Sequence, residues 1–289
     1  MDVAARIEEA LTQAVARAGG ENCPPKLSQA LHHAVFPGGA RVRPTLCLAV
    51  ASACGDPDPE VSTAAAAALE LLHCASLVHD DLPCFDDADI RRGKPSVHQA
   101  FGEPIAVLAG DALIVLAFET LTLGAVAQPA RMAPLMQTIC GAVGGPTGIV
   151  AGQAWESEVN PPLDTYHRAK TGALFVGATL AGAQAAGRDP NPWRLVGELI
   201  GEAYQVADDL LDAIADSDEA GKPVGQDSAH ERPNAVLALG LPGAVGHLEN
   251  LVAEAVRSIP DVPGADALRG LVAMQAKRLV PKTLASFAA

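Results

Sequence analysis

Apolar segments of helical length, rich in alanine and leucine and ended by glycine or proline, constrain the fold of this chain more than any other feature. Alanine and leucine favour helices because they lose little conformational freedom there. Aromatic residues make up only 3% of the sequence. Alternating β-branched residues, the usual signal of a strand, are hard to find. The sequence therefore predicts an all-α fold.

Glycine and proline clusters divide the chain into predicted helices, with clear breaks at 19–20, 37–39, 144–146, Pro190 and Pro263. The predicted helices span residues 2–18, 25–34, 40–53, 59–82, 97–101, 105–125, 130–142, 146–159, 163–187, 192–214, 228–238, 240–257 and 264–281. Between them we find no low-complexity linker, no charge block and no repeat of solenoid period. We therefore expect one domain over residues 1–289.

The charge balance excludes some functions. With 34 acidic and 20 basic residues, the formal net charge is −14, which argues against a nucleic-acid partner. With 49% hydrophobic residues over 289 positions, the chain is long enough to bury one large core. The six cysteines show no paired spacing, and Cys54, Cys74 and Cys140 lie among alanines and leucines. We therefore expect reduced thiols in the core.

The location of the protein is also predicted from its apolar segments. The first twenty residues are amphipathic and acidic and show no secretory pattern. Glu70, His73, Asp111 and Glu119 interrupt the apolar segments before they reach membrane-spanning length. We expect a cytoplasmic protein without a transmembrane segment.

The stretch LVHDDLPCFDDADIRRGKP changes from apolar residues to dense charge. His73, seven residues before Asp80, shares its helix face. Pro83 should end this helix and let Asp86 turn back toward Asp80. Carboxylates this close repel one another unless a cation neutralises them, and Mg²⁺ with oxygen ligands is the usual solution. A solvated acidic helix end followed by a basic turn is the alternative.

A second acidic cluster lies in YQVADDLLD, where Asp208 and Asp212 share one helix face and Asp209 lies beside them. Two such helices facing each other could hold Mg²⁺ ions and, through them, a diphosphate. Basic residues that could take the outer diphosphate oxygens are Arg41, Arg43, Arg91, Arg92, Lys170 and Lys222. A lone basic residue is more often a solvated surface side chain, so only the combination carries weight.

These segments together resemble the all-trans polyprenyl diphosphate synthases over nearly the whole chain. The motifs that carry the resemblance are FPGGARVRP, LVHDDLPCFDDADIRRGKPSVH, LAGDAL, AGQ, KTGALF, YQVADDLLD and GKPVGQD. The resemblance implies a helical bundle of the isoprenoid synthase type with a central active-site cavity, usually dimeric. It implies condensation of isopentenyl diphosphate with an allylic diphosphate, using Mg²⁺. AGQAWESE and GQDSAHERPNAV are most similar to the geranylgeranyl diphosphate synthases of bacterial carotenoid and bacteriochlorophyll pathways.

The resemblance also implies roles for single residues. It assigns three Mg²⁺ ions, bridged by substrate diphosphate, to Asp80, Asp86, Asp208 and Asp212, with Asp81 and Asp209 in supporting catalytic positions. It assigns the allylic diphosphate to Arg91, Lys170 and Lys222, with Lys170 also catalytic, and isopentenyl diphosphate to Arg43, His73 and Arg92. Gln205 is expected to line the site, with a helix-packing amide as the alternative. His73 has the alternative of a satisfied core histidine, and His79 and His98 are expected to be structural.

Product length should be set by the side chains beneath the first aspartate motif. Ser76 and Ala75, four and five residues before Asp80, are both small, and five residues of helix place Ala75 about 7.5 Å below the metal site. In the family a bulky aromatic residue near this position tends to stop growth at fifteen carbons. The small pair therefore favours a twenty-carbon product, with Leu72 or Leu69 as the floor and farnesyl diphosphate as the alternative product.

Two departures from the family pattern put affinity for isopentenyl diphosphate in doubt. Ala40 stands where the family commonly has a lysine, which Arg41 or Arg43 would replace in part, and residues 232–234 read Arg-Pro-Asn instead of Lys-x-Thr. A catalytically silent regulatory subunit of a synthase therefore stays an alternative. A terpene cyclase is disfavoured, because it would usually carry a different second motif and more aromatic residues to shield cations.

Overall fold

The computed structural model describes residues 2–214 and 235–279. Its α-helices are, in chain order, α1 (Val3–Ala18), α2 (Pro25–Val35), α3 (Val42–Ala53), α4 (Pro59–Asp80), α5 (Val97–Phe101), α6 (Glu103–Gly124), α7 (Pro129–Val143), α8 (Ile149–Trp155), α9 (Leu163–His167), α10 (Ala173–Ala185), α11 (Arg194–Ile214), α12 (Ala235–Ser258) and α13 (Ala265–Leu279). A π-helical turn (Arg168–Gly172) joins α9 to α10, and a 3₁₀ turn (Asn191–Trp193) precedes α11. The predicted all-α class is confirmed.

Most predicted helices lie within a few residues of their expected bounds, and two predictions need correction. The helix expected over 146–159 is shorter, since α8 covers only Ile149–Trp155. The helix expected over 163–187 is divided by the π-helical turn. The break expected between the helices 228–238 and 240–257 is confirmed, because Gly240 in α12 has a positive φ of 68° that interrupts the helical path. Residues 228–234 lie outside the described part of the chain.

A short antiparallel hairpin between α4 and α5 was not predicted. It pairs β1 (Ile90–Arg91) with β2 (Lys94–Pro95). Arg92 and Gly93 form its two-residue turn, and both have positive φ angles of 54° and 73°. Such a turn matches the twist of the flanking strands, which explains why so short a hairpin forms around an Arg-Gly pair.

Helix α4 is the centre of the core. Its alanines and leucines are buried on nearly every side and not along one stripe, as expected of a helix surrounded by others. Leu69, Leu71 and Leu72 are each at most 1% exposed. The helix packs against α3, α6 and α10, so the core holds its last residue, Asp80, in a fixed place.

Helix α10 packs between α3, α7 and α11. A Cβ at Gly182 would collide with the backbone oxygen of Cys47 in α3, so this close approach requires glycine. Helix α11 packs on α12 through a second hydrophobic cluster, and Ile200 packs against both this cluster and the main core. One domain over residues 1–289 stays a prediction.

Three described helices, α4, α6 and α12, are long and apolar enough to cross a membrane by length and composition alone. The expectation that charged residues keep every apolar segment too short is therefore wrong. In α4, 78% of the apolar window is buried inside the protein, against 44% in α6 and 17% in α12. Glu70 is tolerated inside α4 because Arg41 Nη1 donates a hydrogen bond to its carboxylate at 2.8 Å.

All six cysteines are free. Burial raises the pKa of Cys47 and Cys74 to about 12, so both thiols stay protonated and unreactive. Cys140 is exposed, contrary to the expectation that it lies in the core.

Candidate active site

The first aspartate motif lies at the end of α4. After Asp80 the chain turns back, and the Asp86 N–H donates a hydrogen bond to the Asp80 carbonyl at 2.9 Å. The Ala88 N–H donates likewise to the Asp81 carbonyl at 3.1 Å. Asp86 thus turns back toward Asp80, as predicted. Pro83 lies three residues after Asp80, the last residue of α4, where it cannot continue the hydrogen-bond ladder.

Asp81 is buried against Arg91. The Arg91 Nε donates to Asp81 Oδ1 at 2.8 Å, and Nη2 contacts the same oxygen. Burial raises the pKa of Asp81, against the opposing effect of Arg91. The same guanidinium lies 3.8 Å from Asp80 Oδ2. Asp81 therefore holds Arg91 in place beside Asp80.

Three carboxylates converge between the residues at the end of α4 and the residue that follows α8. Single carboxylate oxygens of Asp80, Asp86 and Glu156 all lie within 4.8 Å of one another. Asp80 Oδ1 is buried and has no hydrogen-bond partner among the described residues, and burial raises the Asp80 pKa, opposed by Lys170. Oxygen ligands at this spacing suit a hard divalent cation, so the residues present fit Mg²⁺.

Lys170 and Tyr166 complete this carboxylate group. Lys170 Nζ lies 2.6 Å from Glu156 Oε1 and 3.7 Å from Asp80 Oδ1. The Tyr166 hydroxyl also donates to Glu156 Oε1 at 2.6 Å, and Gln153 Nε2 donates to Oε2 at 2.9 Å. The sequence reasoning missed Glu156 as a site residue. Its signal was its place in AGQAWESE, three residues after Gln153.

The π-helical turn positions Lys170 and Thr171. A Cβ at Gly152 would collide with the backbone of Lys170, so glycine there lets α8 touch the turn. Thr171 Oγ1 donates to Gln205 Oε1 at 2.7 Å, which links the turn to α11. Single π-helical turns occur often at functional sites, because the extra residue redirects neighbouring side chains.

The second aspartate motif lies near the end of α11. Asp208 is exposed and Asp212 half-buried, whereas Asp209 is only 3% exposed. Asp209 accepts hydrogen bonds from Gln205 Nε2 at 2.9 Å and from the backbone N–H of Ala235, the first residue of α12, at 2.7 Å. Asp209 therefore joins two helices. In the described residues, the group of three carboxylates at α4 includes neither Asp208 nor Asp212.

Arg43 lies between the two motif-bearing helices. Its Nη1 is 3.2 Å from His73 Nε2 on α4, and its guanidinium lies 4.7 Å over the ring of Phe175 on α10. Burial lowers the Arg43 pKa, while Glu70 and Asp208 raise it. Burial and then the charge of Arg43 hold the pKa of His73 well below 6.5, so His73 is neutral and accepts the hydrogen bond. Arg43 Nε is buried without a hydrogen-bond partner among the described residues.

Arg92, at the tip of the hairpin, reaches the glycine loop before α3. Its Nη1 donates to the Gly38 carbonyl at 2.7 Å. A Cβ on Gly39, which has a φ of 130°, would lie 2.6 Å from the Arg92 guanidinium carbon. Glycine at this position thus lets the guanidinium lie against the backbone next to Ala40.

Arg41 does not face the site. Its side chain is 9% exposed and ion-pairs with Glu8 at 2.7 Å and Glu70 at 2.8 Å. The expectation that Arg41 could take diphosphate oxygens in place of the missing lysine is therefore wrong, because its donors are already used. Arg43 remains as the candidate substitute.

Of the predicted chain-length residues, Leu72 and Ala75 are buried at 1% and 2% exposure and Ser76 is half-buried. Ser76 Oγ donates to the His73 carbonyl at 2.8 Å. A cavity of about 1060 Å³ lies between α7, the π-helical turn, α10, α11 and α12. Gln205 lines it, as does Asp209, but none of the three chain-length residues does.

The two histidines expected to be structural have structural contacts. His98 is 7% exposed, and its Nδ1 lies 3.0 Å from Ser96 Oγ. The ring of His79 occupies the space that a Cβ on Gly110 of α6 would fill. Lys222 and the residues 232–234 lie outside the described residues.

Comparison with known proteins decides the family. Residues 24–261 match the polyprenyl synthetase family. The chain belongs to this family. It is 55% identical to a geranylgeranyl diphosphate synthase of Cereibacter sphaeroides, over 97% of this chain and 98% of that protein. It is 52% identical to one of Rhodobacter capsulatus, over 97% of each chain.

The fold is shared with solved members of the polyprenyl synthetase family. A geranyltransferase from Helicobacter pylori, crystallised with magnesium and isoprenyl diphosphate, superposes with a TM-score of 0.78 at 28% identity. The match covers 96% of this chain and 98% of that one. The all-α fold of isoprenoid synthases, expected from the motifs, is thus confirmed.

Proposed function

We propose that this protein is a geranylgeranyl diphosphate synthase, a prenyltransferase that joins isopentenyl diphosphate to an allylic diphosphate and stops at twenty carbons. The observation that carries the proposal is the convergence of Asp80, Asp86 and Glu156 with Lys170 at the end of α4. The names of the Cereibacter and Rhodobacter relatives support the twenty-carbon product.

The two diphosphates would bind at separate cationic groups. Lys170 and Arg91 lie 3.7 and 3.8 Å from the Asp80 carboxylate and would bind the allylic diphosphate, together with Lys222. Arg43, with neutral His73 and with Arg92, would bind isopentenyl diphosphate. Arg43 suits an anion, because within the described residues no carboxylate hydrogen-bonds to this half-buried side chain and its buried Nε lacks a partner.

Mg²⁺ would be held by Asp80, Asp86, Asp208 and Asp212, with Glu156 as a further ligand. The grouping of three of these carboxylates supports this assignment, and the Helicobacter pylori relative was crystallised with magnesium. When bound there, Mg²⁺ would withdraw charge from the diphosphate and favour its departure. Three ions, as the family resemblance implies, would neutralise the negative charge of the two aspartate motifs and of the substrate diphosphate.

The side chains of the site would then govern the reaction. As the allylic carbon–oxygen bond breaks, Lys170 and Arg91 stabilise the charge that develops on the leaving diphosphate. Buried apolar residues of α4 exclude water, which would otherwise quench the allylic cation. The double bond of isopentenyl diphosphate, held by Arg43, attacks that cation. A proton then leaves the new product, and the released diphosphate is the acceptor.

Product analysis tests this proposal. Purified protein would be incubated with isopentenyl diphosphate and each allylic primer, with Mg²⁺ or chelator, and the prenyl alcohols identified by mass spectrometry. A Mg²⁺-dependent twenty-carbon product supports the synthase. A fifteen-carbon product would make the protein a farnesyl diphosphate synthase. No elongation with any primer would favour a silent regulatory subunit. The presence of both aspartate motifs argues against that alternative.

Substitution of Ala75 tests what limits product length. Ala75→Phe adds an aromatic ring to a position that is 2% exposed, one turn and a half below Asp80. We expect the main product to shorten from twenty to fifteen carbons, because the ring would fill space that the growing chain needs. Ala75→Ser, close in size, should still make the twenty-carbon product. An unchanged product with Ala75→Phe would contradict this account of the channel.

Two copies of the chain would form a homodimer. Helix α6 exposes apolar side chains at Val107, Leu108, Val115 and Leu123, with 42%, 52%, 68% and 52% exposure, which a second copy would cover. Light scattering at micromolar concentration would measure the mass of the particle in solution.

We further propose a cytoplasmic protein without a transmembrane segment, since most of α4 is buried in the protein core. Carotenoid or bacteriochlorophyll synthesis would consume its product.

A further inference from the structure

Two parallel contacts join the start of α3 to the middle of α4. Arg41, the residue before α3, binds Glu70, and Arg43, in the first turn of α3, binds His73. Glu70 and His73 are three residues apart on α4 and so lie on one face. The first contact is an ion pair and the second leads to the proposed site of isopentenyl diphosphate.

The side chain of Arg41 is held by several hydrogen bonds to other parts of the chain. Its Nε donates to Glu8 at 2.7 Å, its Nη1 to Glu70 at 2.8 Å and its Nη2 to the Val35 carbonyl at 2.6 Å. These partners belong to α1, α4 and α2. One guanidinium therefore ties three helices to the start of α3, a geometry for which the forked donors of arginine are suited.

The backbone of Arg41 adopts an unfavourable conformation while its side chain makes these contacts. Its φ and ψ of 46° and 41° are left-handed, a conformation that non-glycine residues adopt at a cost and keep only when the surroundings impose it. The Arg41 carbonyl also accepts the N–H of Thr45 at 3.1 Å, the first hydrogen bond of α3. The side chain that binds Glu70 thus belongs to the residue that starts the helix carrying Arg43.

We infer that the ion pair of Arg41 with Glu70 is a positioning unit for the isopentenyl diphosphate site, holding the start of α3 on α4 so that Arg43 meets His73. This inference rests on the proposed function, because it assumes that Arg43 binds that substrate. Glu70 is 1% exposed and lies behind Arg41, so it acts through Arg43 and does not touch the substrate. Glu70 also stabilises the charged form of buried Arg43 from a distance.

The test separates a positioning role from a structural one by comparing the two substrates. In Glu70→Gln, we expect KM for isopentenyl diphosphate to rise about tenfold, as for one weakened charge-assisted hydrogen bond. KM for farnesyl diphosphate and kcat should stay within about twofold. A merely structural role would lower the melting temperature and the active fraction, and thus kcat, and leave both KM values unchanged.

Glu8→Gln is the matched control. Glu8 is the other carboxylate partner of Arg41, but its side chain is 46% exposed and it belongs to α1. Because Glu70 still binds Arg41 in this variant, KM for isopentenyl diphosphate should change less than about twofold. An equal rise in both variants would overturn the inference, since any loosening of Arg41 would then suffice.

Further variants keep the test decisive. If Glu70→Gln does not fold, Arg41→Gln with Glu70→Gln removes both charges and leaves no buried unpaired ion. Its KM for isopentenyl diphosphate should rise, and an unchanged value would overturn the inference. A lower KM in Glu70→Gln would also overturn it, because the carboxylate would then act only as a repelling charge.

Arg43→Ala separates this inference from the proposed function. An unchanged KM for isopentenyl diphosphate in Arg43→Ala would reject the proposed role of Arg43. A raised KM in Arg43→Ala with no change in Glu70→Gln would reject the positioning role alone.

Discussion

The two aspartate motifs, at the ends of α4 and α11, use their paired aspartates in the same way. In each pair the second residue is buried and bound by protein groups: Asp81 by Arg91, and Asp209 by Gln205 and the start of α12. The first residue of each pair, Asp80 or Asp208, is less buried. A doubled aspartate thus combines one buried, hydrogen-bonded carboxylate with one that we propose to serve the substrate.

The motifs differ in what surrounds them. Asp80 has a side chain that is 16% exposed and lies near Lys170, Arg91 and two further carboxylates. Asp208 lies on a continuous helix and is exposed. Charges interact more strongly in a buried setting, where the effective dielectric constant is lower. The α4 motif should therefore dominate activity, and the α11 motif should contribute less.

The largest expected effect comes from neutralising the first aspartates. We expect Asp80→Asn to lower kcat about 10³-fold and Asp208→Asn about 10²-fold, because loss of one preorganised charge costs most in the more buried site. Steady-state rates at saturating Mg²⁺ and substrates would measure this. Asp87→Asn, an exposed aspartate of the same loop that lies outside the three-carboxylate group, is the control. Greater damage from Asp208→Asn would reverse the comparison.

The buried aspartates should affect stability. Asp81→Asn leaves the partly buried Arg91 without its closest carboxylate and should lower the free energy of unfolding by about 3 kcal/mol. Asp209→Asn keeps one acceptor oxygen and should cost only about 1 kcal/mol. Urea unfolding of both variants beside the parent protein would give these values. Equal losses of unfolding free energy would show that Asp81 and Asp209 contribute equally to stability.

The smallest effect concerns pH. Because the pKa of His73 is well below 6.5 in the folded protein, the unfolded chain binds the extra proton first as pH falls. Stability is therefore unaffected above pH 6.5 and falls below it, by about 1 kcal/mol at pH 5.5. Tyr204, on the α11 side of Arg43, has a pKa raised to about 12 and does not titrate in this range.

Urea unfolding at pH 7.5, 6.5 and 5.5 would measure this loss. His73→Gln retains an acceptor for Arg43 but cannot titrate, so its acid sensitivity should be smaller by about the same amount. Other groups that titrate in both proteins cancel in the difference. Identical pH profiles would mean that His73 is not held neutral.

Helix positions were predictable where the pattern was local. Alanine-rich segments and the Gly or Pro breaks placed α2, α4, α5 and α7 within two residues or so of their bounds. The break at Gly240 was also predicted from the sequence, whereas the π-helical turn was not, because it depends on how neighbouring helices pack. The hairpin at Arg92 and Gly93 carried a turn signal, but its strands are only two residues long.

The sequence by itself determined the helical class and the spacing that places Asp80 and Asp86 together, since both depend on neighbours within a few turns of helix. It also determined the family, through the motifs that the chain carries. Only the tertiary structure decided that Glu156 joins them, that Asp81 and Asp209 are buried, and that Arg41 pairs with Glu8 and Glu70 while Arg43 contacts His73. Those outcomes depend on partners that lie many residues away, such as Lys170 for Asp80 and Glu70 for Arg41. The role of a charged side chain depends on the partner that packing places beside it, and a local sequence pattern does not identify that partner.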